Sequence, residues 1–222
     1  MKSAAVATLH PAEWHQPHTA QHSTKRRVQQ RSTDTREKLL AAARAVFAEK
    51  GYMATEVADI VARVPITKGA LYHHFGGKEA LFEEICQLIA RELHDTASQV
   101  VMQYSGDAWK QLTVAINARF ELIAASQEAQ KILLVDGPAV LGWKRWREIQ
   151  ADISQDPLKR TLDILIEQGT IPDQQTLPLA QLLLAALNEA ALTVAEADDP
   201  ASEGAKLYGS LLTLMAGLRI AR

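Results

Sequence analysis

Apolar residues recur at helical spacing along most of this chain. The first such stripe comprises Leu39, Leu40, Ala43, Val46 and Phe47. Asp34 and Glu37 precede the stripe at the spacing of a capping box, and Gly51 follows it as a left-handed stop. The pattern predicts a first helix that begins near Asp34 and ends before Gly51.

Residues 55–75 predict two short helices joined by a tight turn. Thr55 is placed to cap the first of them, and Pro65 ends it because proline disfavours helix at the residue before it. Thr67 is placed to cap the second, in which Leu71 and Phe75 lie four positions apart and are predicted to be buried together. A helix too short to build a core alone, with a polar and aromatic tip, suits insertion into a DNA major groove.

The rest of the chain predicts a helical body. Gly76 and Gly77 break the chain before a long helix that is predicted to run to about Tyr104. Further helices follow, one of them opened by Asp156-Pro157 and ended by Gly169. The prediction is an all-α fold of about nine helices, with an N-terminal three-helix helix-turn-helix domain and a larger C-terminal helical domain.

The first 32 residues are polar, without an apolar period, and are predicted to be a disordered extension. Lys25, Arg26, Arg27 and Arg31 make its end a basic arm that could reach phosphates or a minor groove. Its histidines could bind a metal, but no cysteine or acidic set completes a site, so a polar tail is favoured and no metal site is expected. The predicted domains are therefore 1–32, 33–77 and 78–222.

The last two predicted helices, roughly 177–197 and 201–220, are apolar on nearly all sides. A helix that is apolar on more than one face is buried on more than one face. Small residues would let these helices approach a partner closely, namely Ala185, Ala186, Ala190 and Ala191. We therefore predict a homodimer through the last two helices, with burial in the core of a single chain as the alternative.

Charge and composition sharpen this interpretation. Residues 1–80 carry 12 Lys or Arg and 7 Asp or Glu, whereas residues 81–222 carry 12 and 19. A basic head on an acidic body fits a phosphate-facing module, although chance clustering of solvated charges would give the same balance. The single cysteine, Cys86, fits a reducing cytosol. Without an apolar signal segment or about 18 consecutive apolar residues, a cytoplasmic protein that does not span a membrane is expected.

The chain resembles the TetR family of transcriptional regulators over about residues 34–89. The shared pattern comprises Phe47 and Gly51, Thr55, Asp59-Ile60, the run Thr67-Lys68-Gly69-Ala70-Leu71-Tyr72-His73-His74-Phe75, and Lys78-Glu79-Ala80-Leu81. One departure is the turn Val64-Pro65-Ile66, where the family usually has Ala-Gly-Val. Proline cannot take the positive φ that glycine offers at that position.

The resemblance implies a DNA-binding role for nine residues: Thr55, Thr67, Lys68, Gly69, Ala70, Tyr72, His73, His74 and Lys78. Thr55 and Thr67 would contact phosphates at helix N-termini. Tyr72, His74 and Lys78 would hold phosphates on either side of the groove. Lys68, Gly69, Ala70 and His73 would face base edges, with Lys68 donating to guanine and Ala70 touching a thymine methyl. The plainer alternatives are that the threonines only cap helices, that Tyr72 is partly core, and that the two histidines are merely solvated.

The resemblance also implies a helical body whose ligand moves the fourth helix. Candidate lining residues are His94, Trp109, Phe120, Trp143, Trp146 and Asn188, and ordinary packing is the alternative for each. The sequence thus predicts a cytoplasmic repressor that binds a palindromic operator as a homodimer and is released by a small-molecule effector. A regulator controlled by a protein partner and a helical small-molecule-binding protein without DNA function remain the alternatives. No catalytic constellation or cofactor motif is present, so an enzyme is not expected.

Overall fold

The computed structural model describes residues 18–104 and 106–220, and every regular element in these ranges is helical. A π-helical segment, Ala129–Asp136, connects the fifth and sixth of eight α-helices. The predicted all-α fold is confirmed. The α-helices are α1 (His18–Lys50), α2 (Val57–Val61), α3 (Lys68–Phe75), α4 (Lys78–Met102), α5 (Ala108–Ala125), α6 (Gly137–Glu167), α7 (Thr176–Glu196) and α8 (Pro200–Ala216).

Helix α1 is longer than the sequence predicted. It begins at His18, so residues 18–32 are helical here and Asp34 lies inside the helix instead of capping it. The Asp34 carboxylate accepts a hydrogen bond from Gln30 Nε2 at 2.9 Å, a pair four residues apart on one helix face. No proline or glycine interrupts residues 18–50, so nothing in the backbone stops the helix earlier. Residues 1–17 and the side chains of the predicted basic arm lie outside the part that the structure describes.

Helices α1, α2 and α3, with their links, form a small head over residues 18–77. Leu39, Phe47, Ile60 and Leu71 are fully buried between them. Phe47 also meets Phe82 of α4 edge to face, with ring centroids 5.2 Å apart. The core of the head is therefore continuous with the core of the body, which we define as residues 78–220.

The body is a layered bundle in which α4 packs on α5 and α6, and α7 packs on α5, α6 and α8. Pro157 does not open a new helix as predicted, because α6 continues through it to Glu167. Proline supplies no N–H to the carbonyl of Ile153, but Ile149, Leu158 and Leu162 on either side are buried. Their burial in the core holds the helix together across the proline. The real break in α6 is at Gly142, where φ is 75° and ψ is 153°.

Helices α7 and α8 are only partly buried by their own chain. Leu187, Ala190 and Ala191 of α7 are buried inside the body, so the two alanines cannot serve the close approach to a partner that we predicted. Leu182 of α7 and Leu214 of α8 are 71% and 72% exposed. By length and composition α7 alone among the described helices could cross a membrane. In this structure one side of α7 packs against α5, α6 and α8, and the other side stays exposed.

Candidate nucleic-acid interface and ligand cavity

Helix α3 presents a short polar surface on the outside of the head. Thr67 caps it as predicted, with its Oγ1 accepting a hydrogen bond from Ala70 N at 3.3 Å. Leu71 and Phe75 are buried as predicted, which turns the other sides of the helix outward. Tyr72 is 54% exposed, which argues against a core role for it. Along α3 and its cap, Thr67, Lys68, Gly69 and His73 are exposed, and Ala70 and His74 are half-buried.

Pro65 shapes the turn between α2 and α3 without a glycine. The backbone N–H of Ile66 donates to the carbonyl of Val64 at 2.7 Å, which closes a three-residue turn around the proline. An inverse γ-turn needs a central φ near −75°, and the pyrrolidine ring fixes φ close to that value. The unusual sequence of this turn therefore has a local solution that still leads into a capped α3.

Thr55 does not occupy the position that the sequence predicted. The N-cap of α2 is Glu56, whose backbone N–H donates to Asp59 Oδ2 at 2.9 Å in a capping box. Thr55 is buried, and its hydroxyl donates to the carbonyl of Gly51 at 2.7 Å. The hydroxyl therefore braces the end of α1 from inside the head, and it is not on the surface that carries Lys68 and Tyr72.

Lys78 is also turned towards the protein. Its Nζ donates to the carbonyls of Tyr52 at 3.0 Å and Thr55 at 2.8 Å. The same ammonium lies 4.0 Å from the centroid of the Tyr52 ring, within cation–π range. Lys78 therefore ties the first turn of α4 to the link between α1 and α2, and this contact positions the head on the body.

The π-helical segment makes a second connection between head and body. Lys131 Nζ donates to the carbonyls of Ala48 at 3.0 Å and Glu49 at 2.8 Å, at the C-terminal end of α1. Asp136 Oδ2 accepts from the backbone N–H of Tyr52 at 2.8 Å. A cation suits the carbonyl end of a helix, and π-helical turns occur frequently at functional sites. We call Lys78, Lys131, Asp136 and the backbone groups they bind the junction.

One ion-pair cluster reinforces this connection. Arg44 of α1 pairs with Glu128, just before the π-helical segment, and with Glu92 of α4, each at 2.7 Å. The hydrogen bonds that Arg44 donates to Glu128 and Glu92 hold the pKa of its guanidinium well above its usual range. The head is thereby attached to two different elements of the body through one side chain.

A cavity of about 350 Å³ lies in the body between α4, α5, α6 and α7. Its walls are mostly apolar, and six polar side chains interrupt them. Burial lowers the pKa of His94 at this site, and the positive charge of Arg119 lowers it further against the opposing effect of Asp95. The polar lining residues are His94, Ser98, Gln111, Arg119, Ser154 and Thr161.

Arg119 is the residue of this cavity that sequence reasoning missed. It is 8% exposed, and its Nη2 donates to Gln150 Oε1 at 3.1 Å. Burial lowers the pKa of Arg119 to about 10, which still leaves it charged at neutral pH. The sequence did contain a signal, because Arg119 is in phase with the apolar residues Ile116 and Ile123 of α5.

Of the six predicted ligand-binding residues, only His94 lines this cavity. Trp146 is 1% exposed and donates from Nε1 to the carbonyl of Leu133 at 2.7 Å, so most of its surface packs in the core of the body. Phe120 is also in the core, and Trp109 lies beneath the guanidinium of Arg219 at 5.2 Å. Trp143, Trp146 and Asn188 line a separate cleft of about 260 Å³ between α6 and α7.

The head and the cavity together define a class of protein, the helix-turn-helix regulator with a helical regulatory domain. Residues 39–85 match the sequence profile described as "Bacterial regulatory proteins, tetR family", and residues 109–218 match "Tetracyclin repressor-like, C-terminal domain". The chain is 32% identical to a TetR-family transcriptional regulator from Pectobacterium atrosepticum, with a TM-score of 0.74. That match covers 86% of this chain and 97% of the other. The chain belongs to the TetR family of transcriptional regulators.

Two further relatives show how far the likeness extends. The chain is 37% identical over 98 residues to the HTH-type transcriptional repressor KstR2 of Rhodococcus jostii, which covers 44% of this chain and 47% of that protein. The match thus spans about half the length of that curated relative. The regulator RolR, solved with resorcinol, is 17% identical with a TM-score of 0.67 over 85% of this chain and 92% of its own, and this similarity supports the fold alone. These relatives are transcriptional regulators, not enzymes.

Proposed function

We propose that the protein is a ligand-responsive transcriptional repressor that binds a palindromic DNA operator as a homodimer in the cytoplasm and is released by a small-molecule effector. The observation that carries this proposal is the exposed polar surface of α3 on a head whose apolar core is already buried. Such a surface is left free for a partner, and the family to which the chain belongs consists of transcriptional regulators.

The interface we propose runs along α3 from Thr67 to His74. Lys68 forms no ion pair with the described residues, so its ammonium is available to guanine O6 and N7 or to phosphate. Thr67 Oγ1 accepts the cap hydrogen bond from Ala70 and still has its own proton to donate to a phosphate. Tyr72 and His74 flank this surface and are assigned to phosphates, while Thr55 and Lys78 are assigned to the structure of the head.

The homodimer is proposed through the exposed apolar side of α7 and α8. Leu182 and Leu214 are large, apolar and more than two-thirds exposed, and their burial between two copies would be favourable. Two copies of this helix pair would form a four-helix arrangement across a two-fold axis. The wild-type protein should sediment as a dimer, and the double variant Leu182→Glu, Leu214→Glu as a monomer.

A matched control for this variant is Ile164→Glu, which changes an exposed apolar residue of α6 instead. It should leave the dimer intact. A wild-type monomer at micromolar concentration would contradict the proposed homodimer. If Ile164→Glu also dissociates the dimer, the interface is not confined to α7 and α8.

The signal from the cavity is proposed to reach the head through the junction. Helix α4 lines the cavity with His94 and begins at Lys78, which holds the link between α1 and α2. A ligand that repositions α4 would shift this contact and change the separation of the two heads in a dimer. The π-helical segment holds the end of α1 and would resist or guide the same shift.

The proposal is tested by mixing the protein at low salt with DNA that flanks its gene and with sequences selected from a random pool. We expect the protein to slow the migration of a selected palindrome in a native gel. This shift should persist in an excess of nonspecific DNA, because a specific site binds far more tightly than random sequence. The absence of any preferred sequence would contradict the proposed function.

A further inference from the structure

The cavity of the body contains a buried positive charge that the protein does not neutralise. Arg119 is more than nine-tenths buried, and none of the ion pairs among the described residues includes it. Its hydrogen bond to Gln150 is made to a neutral amide, and its Nε has no hydrogen-bond partner in the described structure. A buried charge without a counter-charge is unfavourable, so proteins pair such charges or use them to bind a ligand.

The surroundings of Arg119 fit an anion. His94 lines the same cavity from α4 and can add a hydrogen bond. Gln150 accepts a hydrogen bond from Arg119 Nη2 and so orients the guanidinium beside the cavity. Planar guanidinium groups bind carboxylates through paired hydrogen bonds, which are among the strongest in proteins.

The rest of the cavity fits an apolar molecule of modest size. Leu93, Leu112, Ile116, Leu158 and Leu187 are among the apolar residues that line it beside Arg119. Ligand cavities run from roughly 300 to 1,000 Å³, and this one holds about 350 Å³.

We propose that the effector is a small organic acid whose carboxylate pairs with Arg119 and whose apolar remainder fills the cavity between α4, α5, α6 and α7. This inference rests on the proposed function, since it names the chemical class of the effector. It also accounts for the buried charge, which is unfavourable in the empty protein and becomes favourable when a carboxylate arrives.

The test compares acids with their uncharged analogues in the wild-type protein. Hexanoate, octanoate, benzoate and phenylacetate are each measured beside the primary amide of the same skeleton, by the shift in Tm and by isothermal titration. At least one acid should bind about tenfold or more tightly than its amide, because the amide loses the charge-assisted pair. Equal binding of acid and amide, or no binding by any of the four acids, would overturn the inference.

Two variants test whether Arg119 causes the preference for the acid over the amide. Arg119→Met keeps an unbranched side chain and removes the charge, and Arg160→Met makes the same change at an exposed position of α6. The acid preference should vanish in the first and persist in the second. Arg119→Met should keep the unliganded Tm or raise it, because the unpaired buried charge is gone. A fall in Tm with an unchanged ratio of acid to amide would make Arg119 a structural residue and overturn the inference.

Failure of this inference is distinguishable from failure of the proposed function. The gel shift of a preferred DNA sequence is measured without any acid, so its result does not depend on the acid experiment. Release of that DNA by amides as well as by acids would keep effector control and reject the carboxylate class. Release by the acids in the wild type and in Arg160→Met, but not in Arg119→Met, would support both.

Discussion

The head and the body place their functional polar groups in opposite ways. In the head, Lys68, Tyr72 and His73 stand on the outside of a short helix. In the body, Arg119, Gln150 and Asn188 are buried, and each of these three has an atom without a hydrogen-bond partner in the described structure. A long charged duplex must be met by an exposed surface, whereas a small ligand is held best where water is excluded. The difference between the two regions fits the sizes of the two proposed partners, DNA for the head and a small effector for the body.

The largest expected effect tests whether the body depends on its buried side chains. Trp146→Ala should lower the free energy of unfolding by about 3–5 kcal/mol, because it leaves a large cavity and removes the contacts of a side chain that is 1% exposed. Chemical denaturation monitored by circular dichroism measures the change.

Trp143 supplies a control on the same helix. It is 52% exposed and meets Trp146 edge to face with ring centroids 5.7 Å apart. Trp143→Ala should therefore lower stability by no more than about 1.5 kcal/mol. Similar losses for both tryptophans would mean that α6 is not packed as the structure shows.

A smaller effect is expected on the head, and it concerns DNA affinity with little change in stability. Lys68→Ala should weaken binding to the preferred sequence by about 1–3 kcal/mol per half-site if the ammonium reads a guanine. If Lys68 binds a phosphate, the slope of log K against log salt should fall by about one unit per subunit, or about two for the dimer, for all sequences. Fluorescence anisotropy at several salt concentrations separates these outcomes.

Lys110→Ala is the matched control, since Lys110 is exposed on α5, in the body. It should leave both affinity and salt slope unchanged. If Lys110→Ala weakens binding as much as Lys68→Ala does, the exposed surface of α3 is not the interface.

The smallest expected effect is at the junction, where the two regions meet. Lys131→Met removes the hydrogen bonds to the carbonyls of Ala48 and Glu49 and should lower stability by about 1 kcal/mol. Its larger consequence should be a weaker response of DNA binding to a ligand in the cavity. Lys144→Met, an exposed change on α6, should preserve that response. If a cavity ligand changes the DNA binding of Lys131→Met as strongly as it changes that of the wild type, the signal passes through α4 without the π-helical segment.

The sequence predicted the head better than the body because the signals of the head are local. The Thr67 cap, the buried pair Leu71 and Phe75, and the end of α3 at Gly76 all depend on residues a few positions apart. The sequence misplaced the Thr55 cap and did not show the contacts of Lys78, for the opposite reason. Their partners, Gly51 and Tyr52, are backbone carbonyls of a link whose path only the fold determines.

The body was predicted as helical, but its chemistry was not. Pro157 looked like a helix start, yet the core contacts of α6 on both sides carry the helix through it. Aromatic residues were predicted to contact the ligand, but Trp146 and Phe120 are buried in the core. Arg119 lines the cavity because α4, α6 and α7 enclose its position on α5, and no sequence period shows which helices will meet. Burial of a single polar residue is a tertiary property.

The most direct test of the account is a footprint of the wild-type protein on its preferred DNA sequence. Two symmetric protected half-sites are predicted, with centres about one DNA turn apart, roughly 34–36 Å, or a multiple of that distance. This result would follow from one α3 surface on each subunit of a two-fold dimer. A single asymmetric protected site, or protection without sequence preference, would contradict it.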